Sequence, residues 1–210
     1  MRLVIKRLIS LLLALHQIVR VRKAAVSDAE ALHRVVLTSM GGRQSESPSA
    51  EQWRKMIAGE GHTSTLFSVL EHIMSKRVVG VVGTKIAASG YGLPRRDHIT
   101  LLSIDVALQR RGHGRRLLTH ILSEQDSCLV PERCTSLFVR ASNRAAITLY
   151  KRLGFRRHTK LRQYYSDPVE AALLFVRWRR RPARIRLGPL RSLVTSQLTS
   201  PMESNGGLWA

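Results

Sequence analysis

Gln109-Arg110-Arg111-Gly112-His113-Gly114 has the residue types and order to grip an anion. The stretch follows an apolar run, His98 to Leu108, and precedes a helical pattern, Arg115 to Ser123. It therefore reads as a strand, a glycine loop and the start of a helix. Such a junction aims backbone N–H groups and the positive end of a helix at a negative ligand. Glycines let the backbone approach without a Cβ in the way, and arginines add charge-assisted bonds to phosphate oxygens. Two well-known glycine loops are excluded. The second glycine is followed by Arg115-Arg116-Leu117, so there is no Gly-x-Gly-x-x-Gly, and there is no Gly-Lys-Ser/Thr. On these residues alone, an ordinary strand-to-helix turn with surface arginines is the competing reading.

The 210 residues leave room for one domain plus tails, and the apolar fraction of 44% is that of an ordinary soluble chain. The charge is unusual: Lys+Arg 35 against Asp+Glu 14, a net +21. This points to an anionic partner, a basic tail, or both, with a phosphorylated cofactor, nucleic acid, a ribosome surface and an anionic membrane as the options. Cys128 and Cys134 flank Pro131-Glu132 without the spacing of a metal site, and no metal is expected. A reducing compartment is the simplest reading.

Residues 1–16 form a basic-apolar extension whose apolar run, Leu11 to Leu15, is too short to span a membrane. A cytoplasmic location follows, with membrane association or a mitochondrial presequence through residues 1–16 as alternatives. The domain is expected over residues 17–178. Ile18 to Arg22 reads as its first strand. Ser27-Asp28 caps a helix over Ala29 to Met40, Gly41 to Ser49 is loop, and Ala50 to Ala58 is a second helix. Thr65 to Leu70 and Val78 to Ala87 form a hairpin that breaks at Ser75-Lys76-Arg77, and Ala88 to Asp97 is loop. After the central strand and the loop helix come a strand over Thr135 to Arg140 and a helix over Asn143 to Leu153 closed by Gly154. Phe155 to Tyr165 and Ala172 to Trp178 are the last strands. The order βααβββαβαββ implies an α/β (α+β) fold, a mixed sheet with helices on both faces. Residues 179–210 read as a basic, flexible tail with arginines and prolines and no sustained periodicity.

Two segments together resemble one family. Gln-x-x-Gly-x-Gly after a strand is similar to the acyl-CoA pyrophosphate loop of the GCN5-related N-acetyltransferases. Val139-Arg140-Ala141-Ser142-Asn143-Arg144-Ala145-Ala146-Ile147-Thr148-Leu149-Tyr150-Lys151-Arg152-Leu153-Gly154-Phe155 resembles that superfamily's motif B. The resemblance covers about Ile18 to Trp178 and is nearest to the N-alpha acetyltransferases, of both the bacterial ribosomal-protein type and the eukaryotic types acting on Met-starting or membrane-protein N-termini. It implies a mostly antiparallel sheet with a splayed central strand, acetyl-CoA as co-substrate, and direct attack by a primary amine.

The resemblance also assigns roles. The backbone of Leu102, Ile104 and Val106 pairs with the pantetheine arm. Gln109, Arg110, Arg111, Gly112, His113 and Gly114 hold the pyrophosphate with Arg115 close, His113 facing solvent. Asn143 bonds the pantetheine or caps its own helix. Tyr150 is the general acid that protonates the leaving thiolate, although a tyrosine in an amphipathic helix also suits plain core. Tyr164 and Tyr165 cover the substrate N-terminus. The family's base positions differ here. Where the bacterial relative has Glu and the eukaryotic relatives His, this chain has Phe138. Where the eukaryotic relatives have a Tyr, it has His98. Imidazole titrates near neutrality, so His98 is the candidate base, and its removal is expected to lower kcat/KM and shift the pH profile. If His98 is only a surface residue, the amine loses its proton through water.

Gly41 to Pro48 lacks the aromatic-proline segment that shapes the eukaryotic pocket, so peptide preference is not carried over. The acceptor is expected to be a protein N-terminus. Lysine or small-molecule amines are the first alternative. A catalytically inactive adaptor binding RNA, ribosome or anionic membrane through the tail is the second. No pattern for reading specific nucleic-acid sequence is present.

Overall fold

The computed structural model describes residues 18–39, 47–60, 65–127 and 134–179. The extension 1–16, most of the loop after the first helix, Cys128 and the tail beyond Arg179 lie outside the described residues. The elements are β1 (Val19–Lys23), α1 (Ala29–Ser39), α2 (Ala50–Ala58), β2 (Leu66–His72), β3 (Val78–Ala87), β4 (Arg96–Ile104), α3 (His113–Asp126), β5 (Cys134–Arg140), α4 (Arg144–Arg152), β6 (Arg156–Ser166) and β7 (Val169–Trp178). Their order matches the one read from the sequence.

Local chemistry sets the boundaries. Ser49 accepts from the Gln52 backbone N–H while the Gln52 side chain accepts from the Ser49 N–H, a reciprocal cap that starts α2. At α1 the cap differs from the expected Ser27-Asp28 start. Val26–Asp28 form a 3₁₀ turn, and Asp28 reaches back to the Ala25 N–H while Arg22 grips its carboxylate with two nitrogens. Gly154, at φ 87, ends α4 in the left-handed conformation that glycine adopts without strain.

The seven strands lie in the order β1-β2-β3-β4-β5-β7-β6. All pairs are antiparallel except β4 with β5. Alternation along the strands sends side chains to two cores. On one face α1 and α2 bury Leu32, Val36 and Trp53 against Val69, Val78 and Val81. On the other, α3 and α4 bury Leu117, Leu118, Ile121 and Tyr150 against Val82, Ile99, Leu137 and Phe175. Helices therefore cover both faces.

The central strand is splayed. β4 pairs with β5 only at Asp97↔Thr135, His98↔Ser136 and Ile99↔Leu137. Beyond Ile99, β4 stays paired with β3 as far as Gly80↔Ile104. β5 stays paired with β7 as far as Arg140↔Ala172. A fork opens between two fully supported strands.

Three expectations are corrected. The central strand spans Arg96–Ile104, not His98 to Leu108. Asp105 accepts from the Ala107 N–H and turns Val106–Leu108 into a 3₁₀ turn, so Val106 is 54% exposed and lies off the strand. α3 begins at His113 rather than Arg115. Arg179 belongs to the domain rather than to the basic tail: it donates to Asp97, beside Arg177 of β7, which donates to both carboxylate oxygens of Asp126.

Candidate active site

The glycine loop closes the open end of the fork. Gln109 donates from Nε2 to the Ile104 carbonyl at 3.1 Å, which ties the loop back to the end of β4. Arg110 has φ 63, and Gly112 has φ 84 as the residue that caps α3. The conformation at Gly112 is the one a glycine loop needs to present its N–H groups at a helix start. Gly114, in the first turn of α3, lies close to both α4 and β4: a Cβ there would make ordinary contacts, 3.5 Å from Leu149 and 3.8 Å from Ile104.

His113 is buried, which corrects its expected solvent-facing placement. It lies on the inward stripe of α3 with Leu117 and Ile121, at helical spacing of four. Burial, with Arg111 and Arg116 nearby, holds its pKa below the ordinary histidine value. Arg115 lines an open groove of about 610 Å³ together with Arg20, Val21, Gly112, Arg116 and Thr119, on the β1 side of α3. A second cavity, of about 620 Å³, lies beneath the C-terminal half of α3 and contains none of the expected site residues. The fork, not this cavity, joins the glycine loop to unpaired strand edges.

Tyr150 and His98 stand on opposite faces of the fork. Tyr150, in α4, packs on the α3–α4 side with its ring 5.9 Å from Phe155 and 6.5 Å from Phe175. Burial and the neighbouring Tyr165 raise its pKa well above that of a free phenol. It therefore keeps its proton at every working pH and is available as a donor. Among the described residues its hydroxyl has no hydrogen-bond partner. Asn143 caps α4 by accepting from the Ala146 N–H at 3.0 Å, which uses its side-chain oxygen.

His98 is the third residue of β4 rather than a surface residue at its start, and it is buried. Its Nδ1 lies 2.9 Å from the Ser136 hydroxyl. The same oxygen accepts from Arg96 Nε at 3.0 Å and donates to the Asp97 carbonyl at 3.4 Å. All three contacts are satisfied together when Nδ1 carries the proton, which leaves Nε2 as an acceptor. Burial first, then Arg96 and Lys85, pushes the His98 pKa down to about 4. A ring this weakly basic stays neutral near pH 7. It can accept a hydrogen bond from an amine or a relay water, but it does not store a proton.

This alters the pH signature expected from the sequence. The acid limb of kcat/KM should follow the acceptor's own amine, whose ordinary pKa is about 8. His98→Ala should lower kcat/KM by about 10- to 100-fold without moving that limb. An unchanged kcat/KM would remove His98 from the mechanism.

An aromatic cluster adjoins His98. Phe138 stacks on Tyr164 with ring centroids 4.8 Å apart, and meets His98 at 5.3 Å and Tyr91 at 5.9 Å edge-on. Tyr165 touches Tyr164 edge-on at 5.1 Å, and the Arg140 guanidinium lies 4.1 Å above the Tyr165 ring. Tyr91 and Tyr164 are 52% and 46% exposed, so the cluster offers an apolar surface open to a ligand. Sequence reasoning missed Tyr91. The signal available was an aromatic between two glycines, Gly90-Tyr91-Gly92, and His158 fixes that turn by its contact with the Tyr91 carbonyl at 2.8 Å. Arg96 and Ser136 were also missed, and nothing in their local sequence marks them. Among the described residues no cluster of His, Cys, Asp and Glu could hold a metal ion.

The fork, the loop and motif B place the chain in a known family. The acetyltransferase (GNAT) domain matches residues 39–166, and the chain belongs to that family. The [ribosomal protein bS18]-alanine N-acetyltransferase of Salmonella typhimurium is 46% identical over 71 residues, 33% of this chain and 47% of that protein. N-alpha-acetyltransferase 20 of Dictyostelium discoideum is 31% identical over 107 residues, 51% of this chain and 60% of that protein. The chain spans about half the length of the curated relatives it matches. Among solved structures, the ribosomal-protein-S18-alanine N-acetyltransferase from Escherichia coli superposes with a TM-score of 0.62 at 24% identity, covering 80% of this chain and 98% of that one. NAA60 of Arabidopsis thaliana in complex with a bisubstrate analogue gives 0.63 at 20% identity, covering 78% and 100%. At these identities the structural matches establish the fold.

Proposed function

We propose that this chain transfers the acetyl group of acetyl-CoA to the N-terminal α-amine of a polypeptide, by direct attack with both substrates bound. The observation that carries the reading is the fork, with an anion-binding loop at its open end, Tyr150 on one face and His98 on the other. Bound acetyl-CoA would supply the acetyl thioester. The backbone of Leu102 and Ile104 faces the gap where β5 has parted and can pair with an extended arm. Gln109 to Gly114 supply the phosphate contacts, and Asn143 shapes the start of α4 beside them. Val106, in the turn just past the strand, continues this backbone edge toward the loop.

The acceptor enters on the α1–α2 face. His98 Nε2 accepts from the amine or from a water on it, while Phe138, Tyr91 and Tyr164 give an apolar wall for the first side chain. Tyr165, held by Arg140, buttresses that wall. Tyr150 donates the proton that the departing thiolate takes up. The names of the relatives, ribosomal-protein and N-alpha acetyltransferases, support an N-terminal acceptor over lysine or a small amine. On this reading the catalytic domain expected over residues 17–178 extends through Arg179. The buried free Cys134 fits a reducing, cytoplasmic setting. Among the described residues no helix is long and apolar enough to cross a membrane.

The test is calorimetric titration with acetyl-CoA, followed by CoA release with peptide acceptors. Micromolar binding and release that requires a free N-terminus are expected. A folded sample that binds no acetyl-CoA would contradict the proposal.

A further inference from the structure

Several arginines of the domain are neutralised by a carboxylate neighbour. Arg20 and Arg22 pair with Glu71 and Asp28, Arg54 with Glu30, Arg77 with Asp105, and Arg177 with Asp126. Among the described residues, two stretches carry cations without acidic partners: Arg110, Arg111, Arg115 and Arg116 around the glycine loop, and a second region further along the chain. From Cys134 to Ser166 the chain contains no Asp or Glu. Within it Lys151, Arg152, Arg157, Lys160 and Arg162 are exposed, and among the described residues none of them has a carboxylate partner.

The fold brings these cations together. Arg157 pairs with Phe175 and Lys160 with Leu173, and both partners face the core under α3 and α4. Residues paired across antiparallel strands share a face, so Arg157 and Lys160 rise on the α4 side of the sheet. Lys151 and Arg152 occupy the last turn of α4 on that same face, joined to β6 through the turn at Gly154. β6 is the outermost strand, so this strip meets no further element of the sheet. Charged side chains, lysine above all, on an edge strand protect a sheet from pairing with another chain. A strip that continues from the edge onto a helix, with no acid in it, exceeds that need.

We propose that the flank of α4 and the edge strand β6 form a binding strip for the phosphate backbone of RNA, held by Lys151, Arg152, Arg157, Lys160 and Arg162 without reading bases. Charge complementarity argues for a polyanion. A lipid surface fits less well, because membrane docking combines cations with apolar side chains that insert. From Arg144 to Gln163 no large hydrophobic side chain is exposed. The strip is separate from the acceptor wall, and the proposal does not depend on which amine is acetylated.

The test uses the full chain and a fluorescein-labelled RNA hairpin of mixed sequence, with anisotropy measured between about 50 and 200 mM KCl. Lys151→Gln/Arg152→Gln/Arg157→Gln/Lys160→Gln should lower the slope of log Kd against log salt by about three units and weaken binding at least about tenfold. Its melting curve and acetyl-CoA affinity should match the parent. The control, Arg54→Gln/Lys55→Gln on the opposite face, should leave the slope near its parent value. An unchanged slope in the fourfold variant, or an equal fall in the control, would overturn the proposal. So would a fourfold variant that loses phosphatidylserine vesicles while keeping RNA, an outcome that would assign the strip to a membrane.

Discussion

Arg110→Glu/Gly112→Pro should bind acetyl-CoA at least about 100-fold more weakly than the parent chain while remaining folded. Gly112 caps α3 at φ 84 and ψ −2, whereas proline is fixed near −65°. The substitution therefore re-aims the loop and the first turn of the helix, and the N–H groups no longer converge. Charge reversal at Arg110 adds repulsion where the loop is to meet phosphate. Two charge-assisted bonds lost at about 1.5–3 kcal/mol each correspond to a loss of about 100- to 10,000-fold. Gly112→Ala separates the causes. A Cβ there meets nothing within 4 Å, so only the backbone conformation opposes it, at about 1–2 kcal/mol. Its affinity should fall by about tenfold. Parent-like binding by the double variant would show the loop to be an ordinary turn.

Tyr150→Phe should lower kcat by about 100-fold or more with KM little changed. The ring contacts with Phe155 and Phe175 survive the substitution. Among the described residues no partner of the hydroxyl is orphaned, so the melting temperature should move by a degree or two at most. Kinetics with an unchanged kcat would return Tyr150 to the core. A loss of kcat matched by loss of the folded state would do the same. Either outcome would leave the thiolate to be protonated by water.

The elements and their order were legible because their signals are local. Helical spacing gave α1 and α2, the Ser75-Lys76-Arg77 break gave the β2–β3 turn, and Gly154 ended α4 where glycine closes helices. The end of β4 was legible in principle. Asp105 interrupts the apolar run, and aspartate is depleted in strands. Its side chain caps Ala107 and turns the chain, yet the run reads as continuous when only hydrophobicity is counted. His113 was misplaced for a related reason. Taken as a loop residue it faces solvent, but with the helix started two residues earlier it continues the stripe of Leu117 and Ile121.

The acceptor side was the least legible. Phe138 and Tyr164 meet across β7, which lies between β5 and β6, an order that the chain's sequence of strands does not state. The resemblance marked Phe138 as a missing base, and the fold shows an aromatic hub instead. The basicity expected of His98 failed on burial. Ser136, which holds that ring, and Arg96, which helps keep it neutral, come from two strands that meet at just three residue pairs. The splay came only from the resemblance.

The most direct measurement is the position of the acetyl group in the product. Full-length protein would be incubated with acetyl-CoA and an Ala- or Met-leading peptide that also carries an internal lysine, and the product fragmented in a mass spectrometer. The proposed function predicts one added acetyl, on the N-terminal residue, and no product from the same peptide with a blocked N-terminus. An acetyl found on the lysine side chain, with the blocked peptide turning over equally well, would contradict it.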